Sequence, residues 1–260
     1  MSFIKRFVAF VGAAAVGLAF TALPANAVIG GTYDSSNKYS NVGKIYVDGD
    51  FWCTGTLYRT STTQKTSNLV LTAGHCVAGV TGQFTVSFEP NPGADSVYYT
   101  GVGYLDPGYT GSFKSNSLGA DAGVIVLDSA VKGITPADLP SVGLVDTLNP
   151  KKTVLTVVGY GINDFSNANT FTYGTRNYKD VSILEGQGTA GRFKYVKTTA
   201  ASCFGDSGGP NFVKGTNIII GVVSGGNSYV CRDKSFVYRI DSAETLNFLR
   251  NPTTVGVLQG

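Results

Sequence analysis

Short apolar runs, each cut off by turn-forming residues, dominate the chain after residue 27. Leu69–Leu71, Phe84–Phe88, Gly123–Leu127, Val154–Val158, Ile218–Val223 and Phe236–Ile240 are rich in branched and aromatic side chains. Gly, Asn, Asp, Ser or Pro bounds each of them. Such runs predict strands, because branched side chains are stiff and pack well on a pleated surface. Short strands with frequent turn signals predict an all-β sandwich or barrels. A helical period emerges only near the end. There Ser242 or Asp241 can cap a helix over Ala243–Arg250, with Leu246 and Leu249 on its apolar side, and Asn251–Pro252 stops it. Pro136 and Pro140, set among Gly and Ser, suggest a linker between two halves near 134–144.

The first 27 residues follow a different pattern. Lys5 and Arg6 precede an uncharged apolar stretch from Phe7 to Leu23. Pro24 breaks it, and Ala25-Asn26-Ala27 forms an A-x-A cleavage signal. This is the grammar of a secretory signal peptide. The stretch is at the short limit for a membrane span, and the cleavage signal follows at once. The expected mature domain is therefore 28–260, exported to the periplasm or the medium and free of the membrane once the signal is removed.

Composition narrows the function. Hydrophobic residues make up 43% of the chain and charged residues 14%, which excludes a disordered chain. The 34 glycines fit a fold with many tight turns. The formal charge is +3, and loss of Lys5 and Arg6 leaves +1. That is no footprint for nucleic acid. Cys53, Cys76, Cys203 and Cys231 make an even count, which in an exported chain reads as two disulfides in any of three pairings. The spacing is not C-x-x-C and His75 is the only histidine, so no metal site is expected. No EF-hand-like loop is present, and no cofactor is expected.

Three segments carry chemistry. Thr72-Ala73-Gly74-His75-Cys76 holds the one side chain that works as both base and acid near neutral pH. Cys203-Phe204-Gly205-Asp206-Ser207-Gly208-Gly209-Pro210 sets a serine among glycines, where backbone can approach a substrate closely. Successive N–H groups in such a turn can converge on an anion, so Gly205 and Ser207 are oxyanion-hole candidates. Ala120-Asp121-Ala122-Gly123 places a carboxylate at the mouth of an apolar strand, where it needs a partner. Taken singly, each has a plain structural reading: a surface histidine, a glycine-rich loop, a turn aspartate.

Together the segments resemble the trypsin-like serine proteases of chymotrypsin fold. The resemblance rests on Val28-Ile29-Gly30-Gly31, Thr72-Ala73-Gly74-His75-Cys76, Asp121 before Val124-Ile125-Val126-Leu127, and Gly205-Asp206-Ser207-Gly208-Gly209-Pro210. Weaker echoes are Gly55-Thr56-Leu57, Gly159-Tyr160-Gly161, Ser224-Gly225-Gly226 and Phe236-Val237-Tyr238. They fall in the family's order, His then Asp then Ser. The resemblance implies two six-stranded antiparallel β-barrels with the active site between them and a short C-terminal helix. It implies Cys53–Cys76 and Cys203–Cys231 disulfides, each closing a loop of roughly 25 residues and worth about 3 kcal/mol by loop entropy. It implies Ser207 as nucleophile, His75 as general base, Asp121 as its orienting partner, and the N–H groups of Gly205 and Ser207 as the oxyanion hole.

The resemblance also implies that a free Val28 ammonium pairs with Asp206. Signal cleavage before Val28 would itself generate that end. Ala201 and Ser202 are expected at the base of the specificity pocket, Ser224, Gly225 and Gly226 on one wall and Phe236 on the other. Ala201 stands where the trypsin subtype carries Asp, which favours small or medium apolar P1 residues, while Asp233, in the same loop as Phe236 and near the mouth, leaves a basic P1 open. The expected partners are protein or peptide substrates and protein protease inhibitors, with the chain a monomer. Two rival readings use the same residues: a binding module of protease fold without activity, and an esterase with the same triad.

Overall fold

The computed structural model describes residues 28–111, 119–162, 173–185, 194–226 and 230–259. The 1–27 leader lies outside the described residues. A two-residue strand, β1 (Thr32–Tyr33), precedes the first barrel. That barrel is built from β2 (Val42–Val47), β3 (Asp50–Arg59), β4 (Ser67–Thr72), β5 (Phe84–Ser87), β6 (Tyr99–Leu105) and β7 (Gly123–Val131). Its order is β5-β2-β3-β4-β7-β6, all antiparallel, and β6 pairs back onto β5 to close it.

The 134–144 segment carries β8 (Ala137–Asp138), which lies parallel to β3, and ends where α1 (Leu144–Thr147) begins. The second barrel follows with β9 (Val154–Gly159), β10 (Asn177–Glu185), β11 (Tyr195–Thr198), β12 (Pro210–Val213), β13 (Ile219–Gly226) and β14 (Ser235–Arg239). Its order is β9-β10-β11-β14-β13-β12, and β12 pairs with β9 to close it. The protein is thus two closed six-stranded antiparallel barrels.

Both barrels follow from sequence alternation. In β10, Asn177, Val181 and Ile183 are buried while Asp180, Ser182 and Leu184 face out. Strands β9 and β13 are buried on both faces over most of their length. The first-barrel core centres on Ile45, Leu57, Leu71, Phe84 and Ile125. It runs on without a break into Val158, Phe212 and Phe248, so the barrels share apolar surface. The second core gathers Val157, Val181, Val196, Ile220 and Val237.

The chain ends cross between barrels. β1 pairs with β10 of the second barrel. After β14 come α2 (Ala243–Arg250), α3 (Pro252–Val255) and β15 (Val257–Gln259), and β15 pairs with β6 of the first barrel. The α2 cap is Ser242, whose hydroxyl accepts from Thr245 N at 3.1 Å. Asp241 is engaged elsewhere, by Arg239 and by Val145 N. Pro252 ends α2 and opens α3, since its missing N–H costs nothing in a first helical turn.

A buried guanidinium fixes the barrels to each other. Arg176, wholly inaccessible, donates to the Asp34 carboxylate at 2.9 Å, to Val42 O at 2.9 Å and to Phe88 O at 2.8 Å. Val42 and Phe88 belong to the first barrel's wall, while Arg176 adjoins β10. A buried charge held this fully is costly to orphan, by about 3–5 kcal/mol.

Candidate active site

Each candidate side chain sits in a connection between two strands of one barrel, His75 and Asp121 in the first and Ser207 in the second. His75 lies in a one-turn 3₁₀ segment, Gly74–Cys76, directly after β4. Asp121 lies in the approach to β7, and Ser207 in the turn before β12. Strand β3 ties these connections together through Thr54. Its N–H donates to Ser207 O at 2.9 Å, its hydroxyl donates to Gly205 O at 2.8 Å, and its carbonyl accepts from the Thr72 hydroxyl at 2.9 Å.

The structure brings His75 and Asp121 into direct contact. Asp121, only 3% exposed, accepts from the His75 backbone N–H at 2.9 Å. His75 Nδ1 stands 3.0 Å from Oδ2 and 3.2 Å from Oδ1. A carboxylate offers only acceptors, so Nδ1 carries the proton and Nε2 is left as the basic nitrogen. The Ser224 hydroxyl also donates to Asp121 Oδ2. Ser224 therefore serves the carboxylate as well as the cleft wall.

His75 and Ser207 line one cleft of about 800 Å³, together with Phe51, Trp52, Tyr173, Phe204 and Gly205. The turn around Ser207 has a definite polarity. Asp206 N donates to Cys203 O, Gly208 N to Val223 O and Gly209 N to Asp206 O. Among the described residues, the Gly205 and Ser207 N–H groups have no protein acceptor. Their orientation follows from trans-peptide geometry, in which C=O and N–H point opposite ways. Ile162 N holds the Phe204 carbonyl at 2.8 Å and Gly209 N holds the Asp206 carbonyl at 2.9 Å, so the next N–H in each case faces away from that anchor.

Glycine is required at two positions of this turn. Gly208 has φ +79°, and a Cβ there would stand 2.0 Å from Thr72 Oγ1 and 2.4 Å from Thr54 O. Gly205 has φ +90°, and its Cβ would meet the Phe51 ring at 2.6 Å.

Asp206 itself is fully buried and turned away from the cleft. Its carboxylate accepts from Gly161 N and Cys203 N, each at 2.8 Å. Burial pushes its pKa up to about 7, against those two bonds. Among the described residues no cation pairs with it. Val28 is wholly buried in the second core, in the cluster that includes Ala201. Ile29 N donates to Ala201 O at 2.8 Å, and Lys179 Nζ donates to Ile29 O at 2.9 Å and Ala200 O at 3.2 Å. The segment entering the fold is thus stapled beside the turn that holds Asp206.

The pocket differs in part from the sequence reading. Ser202, Ser224, Gly225 and Gly226 line the cleft, but Ala201 and Phe236 do not. Ala201 turns into the second core. Phe236 points off the opposite face of β14, where Lys197 lies over its ring at 5.8 Å. The reason is strand alternation: Val237 is core and Ser235 points the same way as Val237, which sends Phe236 outward. Ser235 takes the inner place instead, its hydroxyl 2.7 Å from that of Ser202. Asp233 and Lys234 also line the cleft. Trp52 escaped the sequence reading too. Its indole donates to Cys76 O at 2.9 Å beside His75, and only its place next to Cys53 hinted at this.

The disulfides are Cys53–Cys76 and Cys203–Cys231, so one follows His75 directly and one precedes Ser207 by four residues. Cys53, Cys76 and His75 bring their ligand atoms within 4.8 Å of one another. Both sulfurs are spent in the disulfide, which leaves no thiolate for a metal there. Among the described residues no helix is long and apolar enough to cross a membrane.

Three solved structures share the architecture. A mutant of human heparin binding protein (CAP37) superposes with TM-score 0.66 at 18% identity, over 86% of this chain and 97% of that one. The atomic-resolution structure of the same protein gives 0.66 at 18%, over 89% and 99%. HL collagenase gives 0.64 at 19%, over 85% and 94%. No match was found among curated protein sequences. A family model described as Trypsin matches residues 28–246, from the buried valine that opens the fold into α2, and on this match the chain belongs to the trypsin family.

Proposed function

We propose that this protein is an exported serine endopeptidase that cleaves peptide bonds through an acyl-enzyme. The observation that carries the reading is the arrangement around one cleft. A carboxylate fixes the His75 tautomer, and the Gly205 and Ser207 N–H groups at the same cleft have no acceptor among the described residues. In this reading His75 Nε2 takes the Ser207 proton as Oγ attacks the scissile carbonyl. The oxyanion that forms is met by Gly205 N–H and Ser207 N–H. His75 then protonates the leaving amine, and water hydrolyses the ester. Asp121 stabilises the imidazolium formed on the way, helped by Ser224.

The 1–27 leader serves as a signal peptide, and its removal frees the Val28 ammonium. That cation would supply the counter-charge that buried Asp206 lacks, with Lys179 and the Ile29–Ala201 bond holding the segment in place. The pocket fits a small or medium apolar P1 residue. Ser202, which lines it, carries no charge and donates to the Ser235 hydroxyl, and of the two charged residues at the cleft Lys234 reaches towards Glu185 while its backbone N–H donates to Asp233.

The test is the intact mass of the purified secreted chain before and after a fluorophosphonate, with Ser207→Ala alongside. One adduct on the wild type, none on the variant, and an unlabelled chain beginning at Val28 are the expected results. A chain beginning at Val28 that takes no adduct would favour the binding-module reading, which the heparin binding protein likeness makes concrete. Ester turnover without peptide turnover would favour an esterase.

A further inference from the structure

Lys44, on β2, is only 8% exposed. Among the described residues its ammonium has no hydrogen bond and no ion pair. It lies 4.6 Å from the centre of the Phe51 ring and 5.3 Å from that of Tyr46. A Cβ on Gly174 would stand 3.4 Å from Nζ, so the ammonium reaches the backbone beside Tyr173. Phe51 and Tyr173 pack edge to face at 5.4 Å, and both line the active-site cleft. Burial lowers the Lys44 pKa. The ring faces offset part of that burial, but they supply no counter-charge.

This group lies on the leaving-group side. The pocket for the acyl side chain is built by Ser202, Gly225 and Gly226 of the second barrel. His75, which protonates the departing amine, belongs to the first barrel, as do Trp52 and Phe51. The peptide C-terminal to the scissile bond therefore runs over Trp52, Phe51 and Tyr173. Trp52 and Tyr173 are each about half exposed, 47% and 49%, so a substrate has direct access to them. The ring edges there carry the positive end of the aromatic quadrupole.

We propose that this side of the cleft is a subsite for an acidic substrate residue, whose carboxylate is attracted at Phe51 and Tyr173 by the field of the Lys44 ammonium, which does not itself line the cleft but stands against the Phe51 ring. The proposal rests on the proteolytic reading above. It makes Lys44 a specificity-determining residue for the positions just after the scissile bond.

The test uses the mature chain and internally quenched peptides that differ only by Glu or Gln at each of the three positions after the scissile bond. The expected result is a kcat/KM at least about tenfold higher for Glu at one position, about 1.4 kcal/mol. The preference should weaken at high salt. Lys44→Met should abolish it by bringing the Glu peptide's kcat/KM down to that of the Gln peptide. Lys44→Arg, which keeps the charge over the rings, should retain it and covers the case in which Lys44→Met fails to fold. Equal rates for Glu and Gln in the wild type, or a preference that survives in Lys44→Met, would overturn the proposal and leave the proteolytic reading standing. Hydrolysis of no peptide, with no fluorophosphonate adduct, would overturn both.

Discussion

Ile162 N donates to the Phe204 carbonyl at 2.8 Å, and this bond decides which way the Phe204–Gly205 peptide faces. With the carbonyl held towards Ile162, the Gly205 N–H points the other way, where a developing oxyanion needs it. Ile162→Pro removes the donor and releases that peptide to rotate. The expected loss is about 10²–10³ in kcat, the scale of one oxyanion donor. Acylation by a fluorophosphonate, timed by mass, should slow in parallel. A Pro variant that acylates at the wild-type rate would show that the bond does not set the hole.

Asp121 and Ser224 separate orientation from packing. Asp121→Asn keeps shape and volume but presents an amide that can donate to Nδ1 and so favours the wrong imidazole tautomer. Turnover should fall by about 10⁴, the magnitude known for trypsin-like triads, while the folded chain is kept. Ser224→Ala removes one donor to the same carboxylate and should cost far less, about 1.5–3 kcal/mol or roughly tenfold to a hundredfold. Steady-state kinetics on one peptide orders the two variants. A Ser224→Ala loss as large as that of Asp121→Asn would mean that the serine does more than support the aspartate.

Much of this site was legible because motif and local structure coincide. His75 follows an apolar strand, Asp121 precedes one, and a serine stands among glycines, so each motif marks a strand end that the structure brings to one cleft or to a neighbour of it. The helix over Ala243–Arg250 was legible from its cap and its leucines. The pocket wall was not. Placing Phe236 depended on strand phase, and a short loop after Cys231 gives no hint of phase, so Phe236 falls on the outer face of β14 and Ser235 on the inner one. β15 was hidden for another reason. Three residues carry too little pattern, and Val257 and Leu258 are exposed, so pairing with β6 rather than burial makes it a strand. Arg176 and Lys44 were also invisible, because nothing local distinguishes a buried cation from the usual solvated one.

Lys179 links two carbonyls from separate segments, Ile29 O and Ala200 O. Lys179→Met keeps the stem and deletes both bonds. The entering segment should then be held less tightly, by roughly 1.5–3 kcal/mol for hydrogen bonds from a charged donor. Carbamylation of the Val28 α-amine in the mature chain provides a readout that a general loss of stability would not mimic at low denaturant. Faster modification of Lys179→Met is expected, with activity lost at the same rate. Unchanged modification kinetics would restrict Lys179 to a passive contact.

Asp206 makes the activation idea testable by pH. Burial, with no cation beside it among the described residues, raises its folded pKa to about 7 from the ordinary value of 3.8. Between those values the unfolded chain has lost a proton that the folded chain keeps, so stability falls as pH rises from about 4 to about 7. The loss is roughly 4 kcal/mol if the full shift is realised. A chain with one extra residue before Val28 should show this slope in denaturant midpoints, and Asp206→Asn in the same background should remove it. In the mature chain the Val28 ammonium would favour the carboxylate, so the slope should vanish or reverse. The extended chain should also lack activity while remaining folded. Identical slopes in the two chains, together with full activity of the extended one, would rule out the Val28–Asp206 pair.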